Sequence, residues 1–175
     1  MRILSSLIWF LPVMLLAQTE PADVWEPLRH FPGQWTGAET GKSGIGDGER
    51  TYEFIMNGRY LYFKNKSVFK PQEKNPQGEV HEDWTFYSYD RFRKMFVMRQ
   101  FNIEGFVNQF VLDSLAADGK TLVFVSESVE NAPSGFRARM TYRIVAADEF
   151  NETFELAPPG QEFSIYTENH WKRRE

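Results

Sequence analysis

Arg99 is the residue of this chain whose type and position most suggest chemistry. It lies in the segment "MFVMRQFNI", residues 95–103, where apolar residues recur at every second position and Arg99 shares their parity. A guanidinium on the apolar face of a strand needs a carboxylate or several hydrogen-bond acceptors, because burying an unpaired charge is costly. Arg99 therefore either binds an acidic group of a ligand or pairs with an internal acid such as Glu82, which has the parity of Trp84 and Phe86.

The histidines and serines give weaker indications of a reactive centre. His81 and Asp83 share a strand face, but no spacing such as His-Glu-x-x-His accompanies them, so the sequence supports no metal site. Parity places His170 opposite the apolar residues of the last segment, which favours solvent exposure. No Gly-x-Ser-x-Gly elbow surrounds Ser126 or Ser128. These patterns predict no catalytic residues.

The stretch "GQWTGAETGKSG", residues 33–44, partly resembles a phosphate-binding P-loop. That motif needs four residues between its glycines and a helix after them, whereas Gly37 and Gly41 enclose three residues and a strand-like segment follows. The P-loop interpretation fails on spacing and on context. Lys42 and Ser43 are better explained as residues of a hairpin loop.

Strands must position these residues, because apolar side chains alternate with polar ones from Gly33 onward. The segment "RTYEFIM" is followed by Asn57-Gly58, the strongest short hairpin signal, and then by "RYLYFKNKSVF". A two-residue turn predicts that Met56 faces Arg59, Phe54 faces Leu61 and Tyr52 faces Phe63.

A second two-residue turn is predicted at Glu104-Gly105. It would pair Ile103 with Phe106, Phe101 with Asn108 and Arg99 with Phe110, so that the last two share a face of the sheet.

About ten short strands can be counted, with no helical segment between them and a helical turn predicted only within "ADVWEPLRHF". Consecutive antiparallel strands bury their edges best by closing on themselves. The sequence therefore predicts an all-β, ten-stranded antiparallel up-and-down barrel with a short N-terminal helical turn. Sixteen phenylalanines are enough either to fill such a barrel or to line an apolar lumen.

The N-terminus and the composition predict an exported single-domain protein. Residues 1–17 have a positive start, an apolar run shorter than a membrane span and a small residue at Ala17, the pattern of a secretory signal peptide. Cleavage there would leave residues 18–175 as one domain, periplasmic or secreted, without a membrane span. The chain has no cysteine, and its 20 basic and 24 acidic residues form no basic run, so a nucleic-acid partner is not expected.

Gly33-Gln34-Trp35 and the closing "HWKRR" resemble the signatures of lipocalin-like barrels. In that superfamily the tryptophan closes one end of the barrel and an arginine of the last strand packs over it, which implies closure by Trp35 and Arg173. Together with "LRHFPGQWTG", "FIMNGRYLYF" and "FYSYDRFRK", the order of motifs resembles an uncharacterised family of exported bacterial lipocalin-like (calycin) proteins. The chain is more distantly similar to nitrobindin and to the fatty-acid-binding proteins.

These resemblances imply a ligand and two possible head-group sites. Fatty-acid-binding proteins hold a ligand carboxylate with interior arginine and tyrosine, which implies Arg99 with Tyr52 or Tyr142. Nitrobindin-like proteins bind haem through a histidine of the last strand, which implies His170, although its parity argues against this. No resident cofactor is expected otherwise. The predicted lining of the lumen consists of Arg99, Tyr52, Phe54, Phe63, Trp84, Phe86, Phe101, Phe110, Phe124, Met140 and Tyr142.

The main functional hypothesis is therefore an exported, non-catalytic protein that holds a small hydrophobic molecule, such as a fatty acid or another carboxylate lipid, in the barrel. Three alternatives stay open: a haem-binding barrel, an isomerase-like or cyclase-like enzyme acting on a hydrophobic substrate, and a packed barrel that acts through its surface.

Overall fold

The computed structural model describes residues 23–175, so the predicted signal peptide lies outside the described residues. A 3₁₀ turn, Glu26–Leu28, precedes ten antiparallel strands that close into a barrel, which confirms the predicted fold class. The strands are β1 (Gly33–Gly41), β2 (Gly44–Ile55), β3 (Tyr60–Phe69), β4 (Glu79–Asp90), β5 (Met95–Asn102), β6 (Val107–Leu115), β7 (Thr121–Glu130), β8 (Arg137–Ala146), β9 (Glu149–Ala157) and β10 (Ser164–Arg173). Within residues 23–175 there is no helix of the length and apolarity that crossing a membrane requires.

Each strand pairs with the next in the chain, and β1 closes the barrel against β10. The closing register runs from Trp35 opposite Arg173 to Gly41 opposite Thr167. Closure satisfies the backbone of both terminal strands, so neither presents an open edge.

The β2–β3 hairpin has the predicted register. Tyr52 lies opposite Phe63 and Phe54 opposite Leu61. The connection is longer than predicted, because the ladder ends at Ile55 opposite Tyr60 and leaves residues 56–59 in the turn.

The predicted register of β5 and β6 is wrong by one residue. Arg99 lies opposite Gln109, and Phe110 lies opposite Met98. The turn holds three residues, 103–105, closed by a 3.0 Å hydrogen bond from Asn102 N to Phe106 O, with Gly105 at φ +87°. A shift of one position changes which residues share a face, so Arg99 and Phe110 lie on opposite sides of the wall.

Aromatic side chains fill the end of the barrel that contains the 3₁₀ turn. Trp35 is 1% exposed and donates from Nε1 to Phe31 O at 2.7 Å. The Arg173 guanidinium lies 4.3 Å from the centre of the Trp35 ring and donates to Pro32 O and His30 O, each at 2.6 Å. The guanidinium thus stacks on the indole and caps two carbonyls of the segment that covers this end.

Two glycines on the inner surface make room for the buried indole of Trp171. A Cβ at Gly37 would lie 2.6 Å from Trp171 Cε3, and one at Gly48 would lie 2.6 Å from Trp171 Cη2. Gly37 and Gly48 are directly opposite each other on β1 and β2. Only glycine lets the ring pack this closely against the wall, and the ring in turn supports the layer above it.

Candidate functional site

Trp25, Phe31, Trp35 and Phe54 are among the aromatic residues that fill one end of the barrel, and we call this group the aromatic plug. A cavity of about 350 Å³ opens at the opposite end. Its lining comes from the last residues of the odd-numbered strands β1 to β9 and the first residues of the even-numbered ones, together with the loops between them. The lining contains two kinds of side chain. Its buried polar residues are Glu39, Arg50, Asn65, Asp83, Gln100, Asn108, Glu152 and Asn169, and its apolar residues include Phe106, Val129, Pro133, Phe136, Met140, Phe154 and Leu156.

Arg50 and Glu152 form the floor of the cavity. Arg50 Nη1 lies 2.5 Å from Glu152 Oε2 and Arg50 Nη2 lies 3.2 Å from Glu152 Oε1, so the pair is bidentate. The guanidinium carbon is also 4.2 Å from the Trp171 ring centre and 4.6 Å from that of Phe63. Burial opposes the charged guanidinium, but the Glu152 carboxylate outweighs it and raises the pKa of Arg50 well above its ordinary value.

Two chains of side-chain hydrogen bonds, called arms below, extend from Arg50 and Glu152 along the cavity wall. In one arm Arg50 Nε donates to Asn65 Oδ1 at 3.0 Å, Asn65 Nδ2 donates to Ser67 Oγ at 3.0 Å, and Ser67 Oγ donates to Glu39 Oε1 at 2.5 Å. In the other arm Asn169 Nδ2 donates to Glu152 Oε1 at 2.9 Å.

Glu39 and Asn169 stand at the ends of the two arms and are direct neighbours across the β1–β10 ladder. Burial raises the pKa of the Glu39 carboxyl, although the Ser67 hydroxyl and the charge of Arg50 act in the opposite direction. Asn169 Oδ1 is buried and has no hydrogen-bond partner among the described residues. The two arms therefore end on two hydrogen-bond acceptors, the Glu39 carboxyl and Asn169 Oδ1.

A second polar cluster lies on the β4, β5 and β6 wall. Asn108 Nδ2 donates to Gln100 Oε1 at 3.1 Å, and Gln100 Nε2 donates to Asp83 Oδ1 at 3.1 Å. Burial disfavours the charged form of Asp83, but the His81 hydrogen bond and the charge of Arg50 hold the pKa of this carboxyl below its ordinary value.

His81 lies above Asp83 at the mouth of the cavity. Its Nε2 is 3.5 Å from Asp83 Oδ2 and its Nδ1 is 2.8 Å from Glu104 Oε1. Burial disfavours the imidazolium, but the hydrogen bonds to the two carboxylates outweigh it and raise the pKa of His81 to about 9. At neutral pH the ring is a cation held between two acids.

Among residues 23–175, Glu79, His81 and Glu104 form a group that could hold a metal ion. One ligand atom from each lies within 4.8 Å of the others. Nitrogen and carboxylate oxygen donors of this kind suit zinc. The ion would have to displace the proton that His81 Nδ1 shares with Glu104.

Most of the predicted aromatic lining lies inside the barrel but below the cavity. Tyr52, Phe63, Phe110, Phe124 and Tyr142 are at most 2% exposed and form the packed layer beneath the floor. The Tyr142 hydroxyl accepts a 2.9 Å hydrogen bond from the Tyr87 hydroxyl. Phe54 packs against Trp25 in the plug, with ring centres 5.3 Å apart. Of the predicted lining residues, Met140 lines the cavity itself.

Four predicted lining residues lie on the outer face, so their inward orientation is corrected. Trp84 is 49% exposed and Phe101 46% exposed, and Phe86 packs between Tyr62 and Phe101 on the outside of the barrel. Arg99 is exposed as well and donates to Ser88 Oγ at 3.3 Å. The alternation of residues was read correctly, but its apolar face was assigned to the interior. In β4 and β5 the outer face carries aromatic residues, and the inner face beside the cavity is polar.

His170 also lies on the outer face. It is exposed, and its Nε2 is 2.5 Å from Glu149 Oε1 on the neighbouring strand. The histidine that lines the cavity is His81.

The two residues of the floor were missed in the sequence, although a signal for them was present. Arg50 shares the parity of Tyr52 in β2, and Glu152 lies between Phe150 and Phe154 in "FNETF". These are the same pattern, a charge on an apolar face, that singled out Arg99. The signal was correct for Arg50 and Glu152 and misleading for Arg99.

Comparison with solved structures finds chains that are similar to this one. The crystal structure of Rv2717c from M. tuberculosis superposes with a TM-score of 0.67 at 15% identity, over 89% of this chain and 100% of that chain. A de novo designed fluorescence-activating β-barrel gives a TM-score of 0.43 at 11% identity, over 83% of this chain and 94% of that one. The structure of EF1p2_mFAP2b bound to DFHBI gives 0.44 at 8% identity, over 87% and 100%.

No protein-family model matches the sequence, and no curated protein matches it. At 15% identity the likeness to Rv2717c shows a shared fold, the closed antiparallel barrel. The lipocalin-like family stays a prediction from the sequence motifs.

Proposed function

We propose that this protein binds a small amphipathic molecule in the cavity at the open end of its barrel, in the exported compartment that its N-terminal sequence predicts. The observation that carries the proposal is the cavity of about 350 Å³, whose lining combines buried polar groups with aromatic and aliphatic side chains. Ligand pockets in proteins typically combine an apolar wall with a few placed polar groups in this way.

The closed sheet makes this cavity a fixed shape. Every strand is hydrogen-bonded on both sides, and the aromatic layer under the floor is fully buried. A wall that is already rigid loses little conformational entropy when a ligand binds. The apolar part of the ligand would lie against Phe106, Phe136 and Phe154, and its polar part would face the two arms above Arg50.

A carboxylate lipid is not the ligand that this geometry favours. Arg99, the cation expected to bind such a head group, lies outside the barrel. Arg50 lies inside, but Glu152 already binds it with both oxygens. Among the described residues that line the cavity, both cations, Arg50 and His81, are already paired, so a ligand carboxylate would meet Glu39 and Asp83 instead.

A fluorescence titration tests the proposal. The uncharged probe N-phenyl-1-naphthylamine should bind saturably to the protein with an increase in emission. Leu156→Trp should weaken binding roughly tenfold or more, because Leu156 lines the cavity and the larger indole would fill part of it. Ile165→Trp is the matched control, since Ile165 lies on the neighbouring strand and is 51% exposed. Equal affinity in the two variants would place the probe outside the cavity and refute the proposal.

A further inference from the structure

We infer that the polar end of the ligand is a cationic hydrogen-bond donor, a primary ammonium or a group of similar chemistry, held between Glu39 and Asn169. This inference rests on the proposed function and adds the chemical class of the ligand and the residues that select it.

The first observation is the unpartnered carbonyl oxygen of Asn169. The side chain is 7% exposed, it lines the cavity, and its Oδ1 has no hydrogen-bond partner among residues 23–175. A buried acceptor without a donor is costly, typically about 1–3 kcal/mol, so such atoms in native proteins call for an explanation.

The orientation of this amide is fixed by its neighbour. Asn169 Nδ2 donates to Glu152 Oε1 at 2.9 Å, and Arg50 binds both carboxylate oxygens of Glu152 and fixes its position. Turning the amide over would bring its oxygen against the carboxylate, two acceptors facing each other. The carbonyl oxygen must therefore remain the free end.

The second observation is the position of Glu39. It is the direct cross-strand partner of Asn169, and Ser67 donates to its Oε1 at 2.5 Å. Among the described residues Ser67 is the one side chain that donates to this carboxyl. Arg50 therefore anchors two chains of hydrogen bonds whose far ends, Glu39 and Asn169 Oδ1, are neighbouring acceptors. A donor bound between them would close the ring.

The third observation is the charge of the cavity. Two basic side chains line it, Arg50 and His81. Five carboxyl groups line it as well, those of Glu39, Glu79, Asp83, Glu104 and Glu152. Both cations are already paired, Arg50 with Glu152 and His81 with Asp83 and Glu104.

An ammonium group meets these requirements better than a hydroxyl or a carboxylate. It carries three donors and no acceptor. Its positive charge also offsets the free-energy cost of removing the Glu39 carboxylate from water. A hydroxyl supplies one donor and no charge. A carboxylate supplies neither donors nor a favourable charge.

Three probes with the same alkyl chain and different head groups test the inference: octylamine, 1-octanol and octanoate, titrated into the protein by calorimetry at neutral pH. Octylammonium should bind roughly tenfold or more tightly than octanol, the gain of a charge-assisted hydrogen bond, and octanoate should bind least. Glu39→Gln and Asn169→Ala should each reduce the affinity for octylammonium roughly tenfold and leave that for octanol nearly unchanged.

Glu168→Gln is the matched control, because Glu168 precedes Asn169 on β10 and its side chain is exposed. It removes the same charge from the outer face and should leave all three affinities unchanged. Two variants of the site are used so that one result survives if the other fails to fold.

The possible failures are distinguishable. If none of the three probes binds, the proposed function itself is wrong. If octanol and octanoate bind as tightly as octylammonium, the cavity binds small molecules and the cationic head group is refuted. Preference for octylammonium that persists in both Glu39→Gln and Asn169→Ala would likewise overturn the assignment to these residues.

Discussion

Raising the pH from 6.5 to 9.5 should destabilise the folded protein through His81. The folded pKa of His81 is about 9, against an ordinary value of 6.5, because the hydrogen bonds to Asp83 and Glu104 outweigh the effect of burial. A group with a raised folded pKa stabilises the protein fully below the unfolded pKa and loses that contribution as the pH rises through the folded one. The difference between the two pKa values corresponds to about 3 kcal/mol.

The measured loss of stability should be smaller than this difference in pKa implies. The Glu104 side chain is 40% exposed, and solvent screens its share of the interaction, so we expect a decrease of about 1–2 kcal/mol in the free energy of unfolding. Urea unfolding followed by tryptophan fluorescence, in EDTA so that no divalent cation competes with the proton, would measure this at several pH values.

His81→Gln is the informative variant, because an amide can still donate to Asp83 and does not titrate. Its free energy of unfolding should not show the decrease that the wild-type protein shows between pH 6.5 and 9.5. His170→Gln serves as the control, because it makes the same replacement at an exposed histidine of the outer face. Equal slopes in the wild-type protein and His81→Gln would refute the assignment of this pH dependence to His81.

Three other substitutions have expected outcomes that denaturant unfolding or probe titration would check. Arg50→Met should cost about 3–5 kcal/mol of stability, because it leaves Glu152 buried and unpaired, and adding Glu152→Gln should recover part of the loss; a cost below about 1 kcal/mol would contradict the pairing. Gly37→Ala should destabilise by about 1–3 kcal/mol, because its Cβ would overlap the Trp171 ring, and an unchanged unfolding midpoint would disprove this contact. Arg99→Met should change stability by at most about 0.5 kcal/mol and leave probe binding unaltered, whereas weaker binding would place Arg99 in the site after all.

The barrel was predictable because local and global signals agree along most of the chain. In β2 and β3 the alternation of side chains and the Asn57-Gly58 turn predict one register, and that register forms even though the turn is two residues longer. The hydrophobic pattern, more than the turn length, sets which residues face the core there.

The orientation of β4 and β5 was not predictable in the same way. Their outer face carries Trp84, Phe86 and Phe101, and their inner face carries Asp83 and Gln100 at the cavity. An alternation rule assumes that the apolar face is the buried one, and this assumption fails where the interior is polar.

The site was predictable only in part, because its residues are far apart in the chain and come together only when the barrel closes. Parity can place Arg50 and Glu152 on inner faces, but they lie 102 positions apart in the chain. Their meeting depends on strand stagger and barrel closure, which no local pattern encodes. The same is true of Glu39 and Asn169, which become neighbours because β1 closes against β10.

The barrel is filled at the end where Arg173 packs over Trp35, so the cavity is closed at its inner end. A ligand that reaches the floor enters through the mouth opposite the filled end and leaves by the same path. Substitutions at the rim that never touch the seated guest should then slow arrival and departure by the same factor. Residence time could be lengthened in this way while the equilibrium occupancy stays as it was.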